Sequence, residues 1–463
     1  MTISLHYLEI IPILAYLGAL LWLGFRRRQR DASEEDFILG GRRLTLPAFV
    51  ATLVTTWYGG ILGVGEFTYL YGVSNWVVFG LPYYVYALLF AWLLAPRIQQ
   101  ARLLSIPDQF YNHFGRAGGA LSAVFTFFMT LPAPYVLMVG LLIHFLSGWS
   151  LWLCIVLGTL GSVAYVLTGG FRAVIRTDGL QFVLMFGSFM IMLGVLVHRF
   201  GGLEYLQAHL PSLHLSWHGG NSPDYLAVWF FIALWTFIDP GFHQRCYAAR
   251  SPGVARRGIL MSVGFWAMFD FLTTATGLYA RALLRDIDPV LSFPLLGHQV
   301  LPPLLSGIFL AGLLAIIMST VDSLALLSAI TIGHDLIGRW KQGASNSLTY
   351  TRIGLGVTAA VSALTAILIP SVIQIWYLIG TLFIPPMLLP VLACYFPRLN
   401  PGRLCVLATL TMGFLVSFAF LALSIAHSPS LENLRFVGQV QPMFPGLITS
   451  AVIFGIGIFL RRV

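Results

Sequence analysis

The feature that most constrains this chain is a succession of apolar stretches, each long enough to cross a bilayer, separated by short loops that carry most of the charge. Hydrocarbon offers backbone groups no water, so apolar runs of roughly 20 residues fold as helices that satisfy their own N–H and C=O groups. Only 9% of the residues are charged and 58% are hydrophobic, against about a quarter charged in soluble domains. A water-soluble fold is excluded. The 463 residues hold about a dozen such helices and leave no room for a sizeable extramembrane domain, so residues 1–463 read as one all-α polytopic transmembrane domain.

Thirteen spans are predicted, at about 5–25, 46–72, 74–96, 117–146, 150–168, 175–198, 225–249, 258–283, 300–334, 349–369, 371–396, 403–426 and 441–460. Basic residues collect on cytoplasmic loops, and 22 of the 26 Lys and Arg fall on alternate connections; the other four are Arg199, Arg281, Arg285 and Arg435. The N-terminus is therefore expected outside and the C-terminus in the cytoplasm. The first stretch, Leu5 to Phe25, has no basic residues before it and is followed by Arg26, Arg27, Arg28 and Arg30, so it reads as a retained helix rather than a cleaved signal.

Topology also accounts for the net charge of +9, because the basic residues lie in short clusters between spans; no nucleic-acid partner and no obligate protein partner is expected. Cys154, Cys246, Cys394 and Cys405 sit alone in apolar stretches and read as packing residues rather than a disulfide or zinc set. The external stretch 199–224 carries His209, His214 and His218, read as a solvated loop with an amphipathic helix, a metal site being the other account. No Asn-x-Ser/Thr sequon occurs, which points to a bacterial inner membrane.

The second span carries Gly59, Gly60, Gly63 and Gly65 at its middle. Adjacent glycines are poor helix formers, and irregular backbone is tolerated in a membrane only where it is buried in protein or lines a cavity, so a broken helix is expected; close packing through small residues is the alternative. The ninth span carries Ser319-Thr320-Val321-Asp322-Ser323. Hydroxyls on successive helical residues project about 100° apart and can converge on a hard cation together with carbonyls freed in an unwound helix, although Ser and Thr in such helices commonly bond the carbonyl one turn back. Glu66, Asp178, Asp239, His243, Asp270 and Asp322 are intramembrane ionisable residues and functional candidates. For Asp270 and for His144 an interfacial position at a span end is favoured.

Three stretches together resemble the sodium:solute symporter family, which includes sodium/proline, pantothenate, sialic acid and sodium/glucose transporters. They are Gly169-Gly170 through Ala173-Val174, Thr177-Asp178 and Gln181; Gln244-Arg245 through Ala248-Ala249 at the close of the seventh span; and Met318 through Ser323 with His334-Asp335-Leu336. The resemblance implies a LeuT-like 5+5 inverted repeat with halves at 46–198 and 225–396, a leading helix at 5–25 and trailing helices at 403–460. It implies Na⁺ as coupling ion, held by the Ser319 and Thr320 hydroxyls and the carbonyls of Ile316, Thr55 and Tyr58. Asp178 would support the ion site or a second Na⁺, a helix-start cap beside Arg176 being the alternative. By register the solute would meet Gly59, Gly60 and Leu62, Tyr83, Trp235, Thr236 and Asp239, and Trp376 and Tyr377.

The second span is two residues shorter here than in typical members, Trp57 and Tyr58 are bulkier than usual, and no sugar-type Glu or Gln set is present, so a glucose-like solute is not expected. The function implied is Na⁺-coupled uptake of a small organic solute, without enzymatic chemistry. A transporter-like sensor, which would be expected to carry a signalling domain, and an H⁺-coupled or uncoupled carrier are the alternatives.

Overall fold

The computed structural model describes residues 5–26, 33–340, 347–429 and 434–462. Arg27, Arg28, Arg30 and Lys341, which contribute to the basic-loop pattern, lie outside these residues. Twelve described helices have the length and apolarity to cross a membrane. The shorter apolar helix Leu151–Ala164 takes the place of the fifth expected span. It belongs to a continuous helical run, Leu151–Phe200, that turns sharply at Gly170, where φ is +54°. A side chain there would meet the Phe37 carbonyl, so glycine is required both by the dihedral and by the close approach.

Span nine, Pro303–Gly338, is the central element: 83% of its apolar window is buried, against 22% for the first span, Tyr7–Phe25, which packs on the outside. Span nine lies against the Leu151–Phe200 run, the first span and the second span, Leu46–Tyr71. A helix apolar on all sides belongs in an interior, and nearly every residue from Ser306 to Ile330 is buried.

Three spans are interrupted near their middles. The second is α-helical over Leu46–Trp57, tightens into a 3₁₀ turn over Tyr58–Gly60 and resumes at Ile61. The seventh breaks more sharply: helix Pro223–Ile232 passes through a 3₁₀ turn, Ala233–Phe237, and restarts at Pro240. Asp239 is extended there (ψ 115°), as a residue before proline must be, and its Oδ1 accepts the Phe242 N–H at 2.9 Å to cap the new helix.

The fourth span differs from the uninterrupted 117–146 helix expected. A helix from Ile106 breaks at Gly115, where φ is +74°; the span's first helix then ends at Met129 and a second begins at Ala133. Pro132 and Pro134 lack the N–H that a continuous helix needs. At one end of the bundle, the start of the second span is tied to the end of the seventh by Leu44 N–H to Ala248 O (3.0 Å) and Arg250 N–H to Leu44 O (3.2 Å).

Candidate ion and solute site

Where the second span tightens, it rests directly on span nine. Thr320 Oγ1 donates to the Thr56 carbonyl at 2.7 Å, and Thr56 Oγ1 lies 3.0 Å from Ser323 Oγ. A Cβ on Gly59 would overlap the Thr320 hydroxyl, and one on Gly60 would overlap the Trp376 ring from span eleven. The two glycines therefore serve both accounts offered by the sequence, because the helix is tightened and its bare backbone also admits two different neighbours. Thr320 meets the carbonyl of Thr56 rather than those of Thr55 or Tyr58. Thr55 is fully buried with its hydroxyl bonded back to Ala51 O at 2.9 Å, and the Tyr58 hydroxyl donates to Trp266 O at 2.9 Å.

Asp178 completes a buried oxygen cluster. Its Oδ1 accepts from Ser319 Oγ at 2.6 Å and its Oδ2 from Thr52 Oγ1. With 0% exposure and two hydroxyl partners from other spans, it acts as a junction rather than as a helix-start cap. Ile316 lies one turn before Thr320, also fully buried. The positive charge nearby belongs to Arg245, fully buried, whose Nη2 donates to Thr52 Oγ1 (3.1 Å), Thr56 Oγ1 (2.8 Å) and Ser323 Oγ (2.8 Å). A guanidinium is retained at such depth only with hydrogen bonds and opposite charge around it, and Asp178 and Asp239 supply the latter. The set of hydroxyl, carbonyl and carboxylate oxygens suits a hard cation.

Beside this cluster lies a cavity of about 180 Å³. Of the solute positions expected, Gly60, Tyr83, Trp235, Asp239 and Trp376 line it. Gly59 faces Thr320 instead, Leu62 is fully buried in packing, Thr236 bonds Ala233 O at 2.9 Å, and the Tyr377 hydroxyl turns to Gln441 Oε1 at 2.5 Å. Asp239 accepts from Trp235 Nε1 at 2.7 Å. The sequence reading did not single out Tyr135, Trp229, Phe242 or the hydroxyl of Thr56, all on the cavity wall.

Asp270 corrects the interfacial reading. It is 2% exposed, lines the cavity and accepts a hydrogen bond from Tyr84. The eighth span runs from Pro252 to Leu283, with Asp270 near its middle, as the expected 258–283 bounds also have it.

The three loop histidines do not converge: His209 Nδ1 pairs with Tyr205 O, His214 Nε2 with Tyr69 O, and His218 Nδ1 with Gly220 N–H. Elsewhere Asp108, His334 and Asp335 approach one another closely. His334 lies 2.6 Å from Glu34 and 3.1 Å from Asp108, and Arg339 pairs with Asp108 as well, so this cluster is a network of ion pairs rather than a cation site.

Helices interrupted at mid-membrane beside a cavity, with oxygen ligands gathered at the interruption, define a multi-pass secondary carrier. The chain belongs to the sodium:solute symporter family, whose sequence model matches residues 37–404. It is similar to the sodium/pantothenate symporter of Escherichia coli (strain K12), 25% identical with 97% of this chain and 95% of the relative covered. It is likewise similar to the osmoregulated proline transporter OpuE of Bacillus subtilis (strain 168), 25% identical with 96% and 94% covered.

Among solved structures, a Na⁺-coupled sialic acid symporter in a substrate-bound outward-open state superposes with a TM-score of 0.79 at 18% identity, covering 99% of this chain and 98% of that one. Mhp1, a nucleobase-cation-symport-1 family transporter, gives 0.59 at 12% identity, with 93% and 95% covered. These likenesses establish the LeuT-like all-helical fold expected from the sequence. The relatives are symporters, in agreement with the expectation that the chain is not an enzyme, and its bacterial relatives support residence in the inner membrane.

Proposed function

We propose that the chain couples entry of Na⁺ to uptake of a small organic solute by alternating access. The observation that carries this reading is the contact of Thr320 Oγ1 with the Thr56 carbonyl at the 3₁₀ turn, one residue from the Ser319 to Asp178 hydrogen bond. The ion would be held by the hydroxyls of Ser319 and Thr320 and the carbonyls of Thr55, Tyr58 and Ile316, with Asp178 providing negative charge. The solute would occupy the adjoining cavity against Gly60, Tyr83, Trp235, Asp239 and Trp376.

The halves 46–198 and 225–396 would rock about this point, and their interruptions in spans two and seven fall at corresponding places, as an inverted repeat requires. The N-terminus would face outward and the C-terminus the cytoplasm. The relatives' proline and pantothenate fit a small organic solute. One cation moving down 100 mV contributes about 2.3 kcal/mol, enough for roughly fifty-fold accumulation.

The test is uptake by the full chain in proteoliposomes with Na⁺ and pH gradients imposed separately, using solutes first selected by thermal shift in NaCl. Accumulation driven by the Na⁺ gradient alone supports the reading. Accumulation driven equally well by a pH gradient without Na⁺ contradicts it.

A further inference from the structure

A second cavity, of about 470 Å³, lies away from the solute site where three spans end together. Its wall is formed by the last turn of the first span (Leu23), the entry to the second (Thr45, Ala48) and the start of the sixth. Four arginines line it, Arg26, Arg43, Arg172 and Arg176, together with the apolar Leu23 and Ile175, the Arg26 guanidinium lying over the Trp22 ring at 4.5 Å. Asp36 takes one of the four charges, pairing with Arg172 Nη2 at 2.6 Å. Arg172 is also held by its Nε–H to Gly40 O at 3.3 Å, and Arg176 by its Nε–H to the Arg172 carbonyl at 3.0 Å, which fixes both side chains at the cavity edge. Gly40, at φ +64°, admits the Arg172 stem, since a Cβ there would stand 3.3 Å from Cγ.

We propose that this cavity binds a phosphate-bearing anion at the membrane boundary. The guanidinium fork matches phosphate oxygens bidentately, and a basic pocket between span ends beside apolar surface has the chemistry of an anionic headgroup site. The phosphate of an anionic phospholipid, with its chains along Leu23 and Ile175, and a soluble phosphate present the same chemistry to the four arginines. The site stands apart from the transport reading, since it shares no lining residue with the first cavity.

The test is native mass spectrometry of the full chain from nanodiscs of phosphatidylcholine with and without phosphatidylglycerol, alongside thermal melts of the detergent-purified protein in inorganic phosphate. Arg26→Gln and Arg43→Gln remove charge at exposed positions, and Arg257→Gln removes an exposed charge elsewhere. Selective retention of phosphatidylglycerol, weakened by about fivefold for each of the first two substitutions and unchanged by Arg257→Gln, supports the site with a lipid as ligand. Stabilisation by inorganic phosphate that is lost in the same two variants supports it with a soluble ligand. Equal retention of both lipids and no phosphate effect, or equal weakening by Arg257→Gln, overturns it. The melting temperature of each variant without lipid or phosphate separates a folding defect from a binding defect.

Discussion

Gly59 and Gly60 are neighbours with different duties. A methyl group on the first strikes Thr320, and a methyl on the second strikes Trp376. Overpacking of this kind costs about 1–3 kcal/mol, roughly tenfold or more in an equilibrium. Gly59→Ala is therefore expected to weaken Na⁺ activation of uptake about tenfold with little change in solute KM at saturating Na⁺. Gly60→Ala is expected to do the reverse, and titrating each ligand in turn checks both.

Arg245 belongs to the same neighbourhood. Replacing it by Met leaves Asp178 and Asp239 buried without their counter-charge, a loss of about 3–5 kcal/mol that should appear as a sharply lower melting temperature of the purified protein, only partly recovered by Lys, whose single nitrogen cannot also replace the Nη1 bond to Gln244 Oε1. Ser319, Thr320 and Asp178 were legible because each sits in a local motif. The network that joins them was not, since Thr52 and Thr56 on the second span and Arg245 at the end of the seventh are far apart in sequence and only packing brings their atoms within 3.1 Å. The i, i+4 spacing of Thr52 and Thr56, which puts both hydroxyls on one helix face, was the available signal.

At the scale of elements, the break in the second span was readable from its glycines, whereas those in spans four and seven are marked by Pro132, Pro134 and Pro240, residues that membrane helices often accommodate without interruption. Asp270 was read as interfacial although the expected 258–283 bounds already centred it, because its partner Tyr84 comes from another span and only packing joins them. The segment 202–222 docks through His214, whose Nε2–H donates to Tyr69 O at 3.0 Å while Nδ1 is buried without a partner.

Burial, helped by the Arg281 charge and opposed by the Tyr69 carbonyl, pushes the His214 imidazole below its ordinary value of 6.5. The unfolded loop then takes up a proton more readily than the docked one, so docking is fully stable above about pH 6.5 and weakens as pH falls below it. Hydrogen exchange in this segment should accelerate between neutral pH and pH 5.5 after correction for intrinsic rates, and His214→Gln should remove that dependence.

For the whole molecule, apolar runs and charge alternation carried the architecture, because the bilayer imposes the same rule on every span. The cavity lining was less accessible: Leu62, Thr236 and Tyr377 share spans with residues that line it but turn elsewhere, and helical facing depends on where each helix breaks. If the cavity and the oxygen cluster act as one machine, solute binding and Na⁺ binding must strengthen each other by the same factor. Thermal shift with both ligands should exceed the sum of the separate shifts, and Trp235→Ala should diminish the solute contribution while sparing that of Na⁺.

The central claim is that the hydroxyls of span nine and the tightened backbone of the second span together hold Na⁺, and equilibrium binding of radiolabelled Na⁺ to the purified full chain measures it most directly. Loss of one direct ligand removes about 1–3 kcal/mol, so Thr320→Ala and Ser319→Ala should each weaken binding by roughly tenfold or more, while Thr365→Ala in span ten leaves it unchanged. Full-affinity Na⁺ binding by a folded Ser319→Ala, Thr320→Ala double variant would contradict the account.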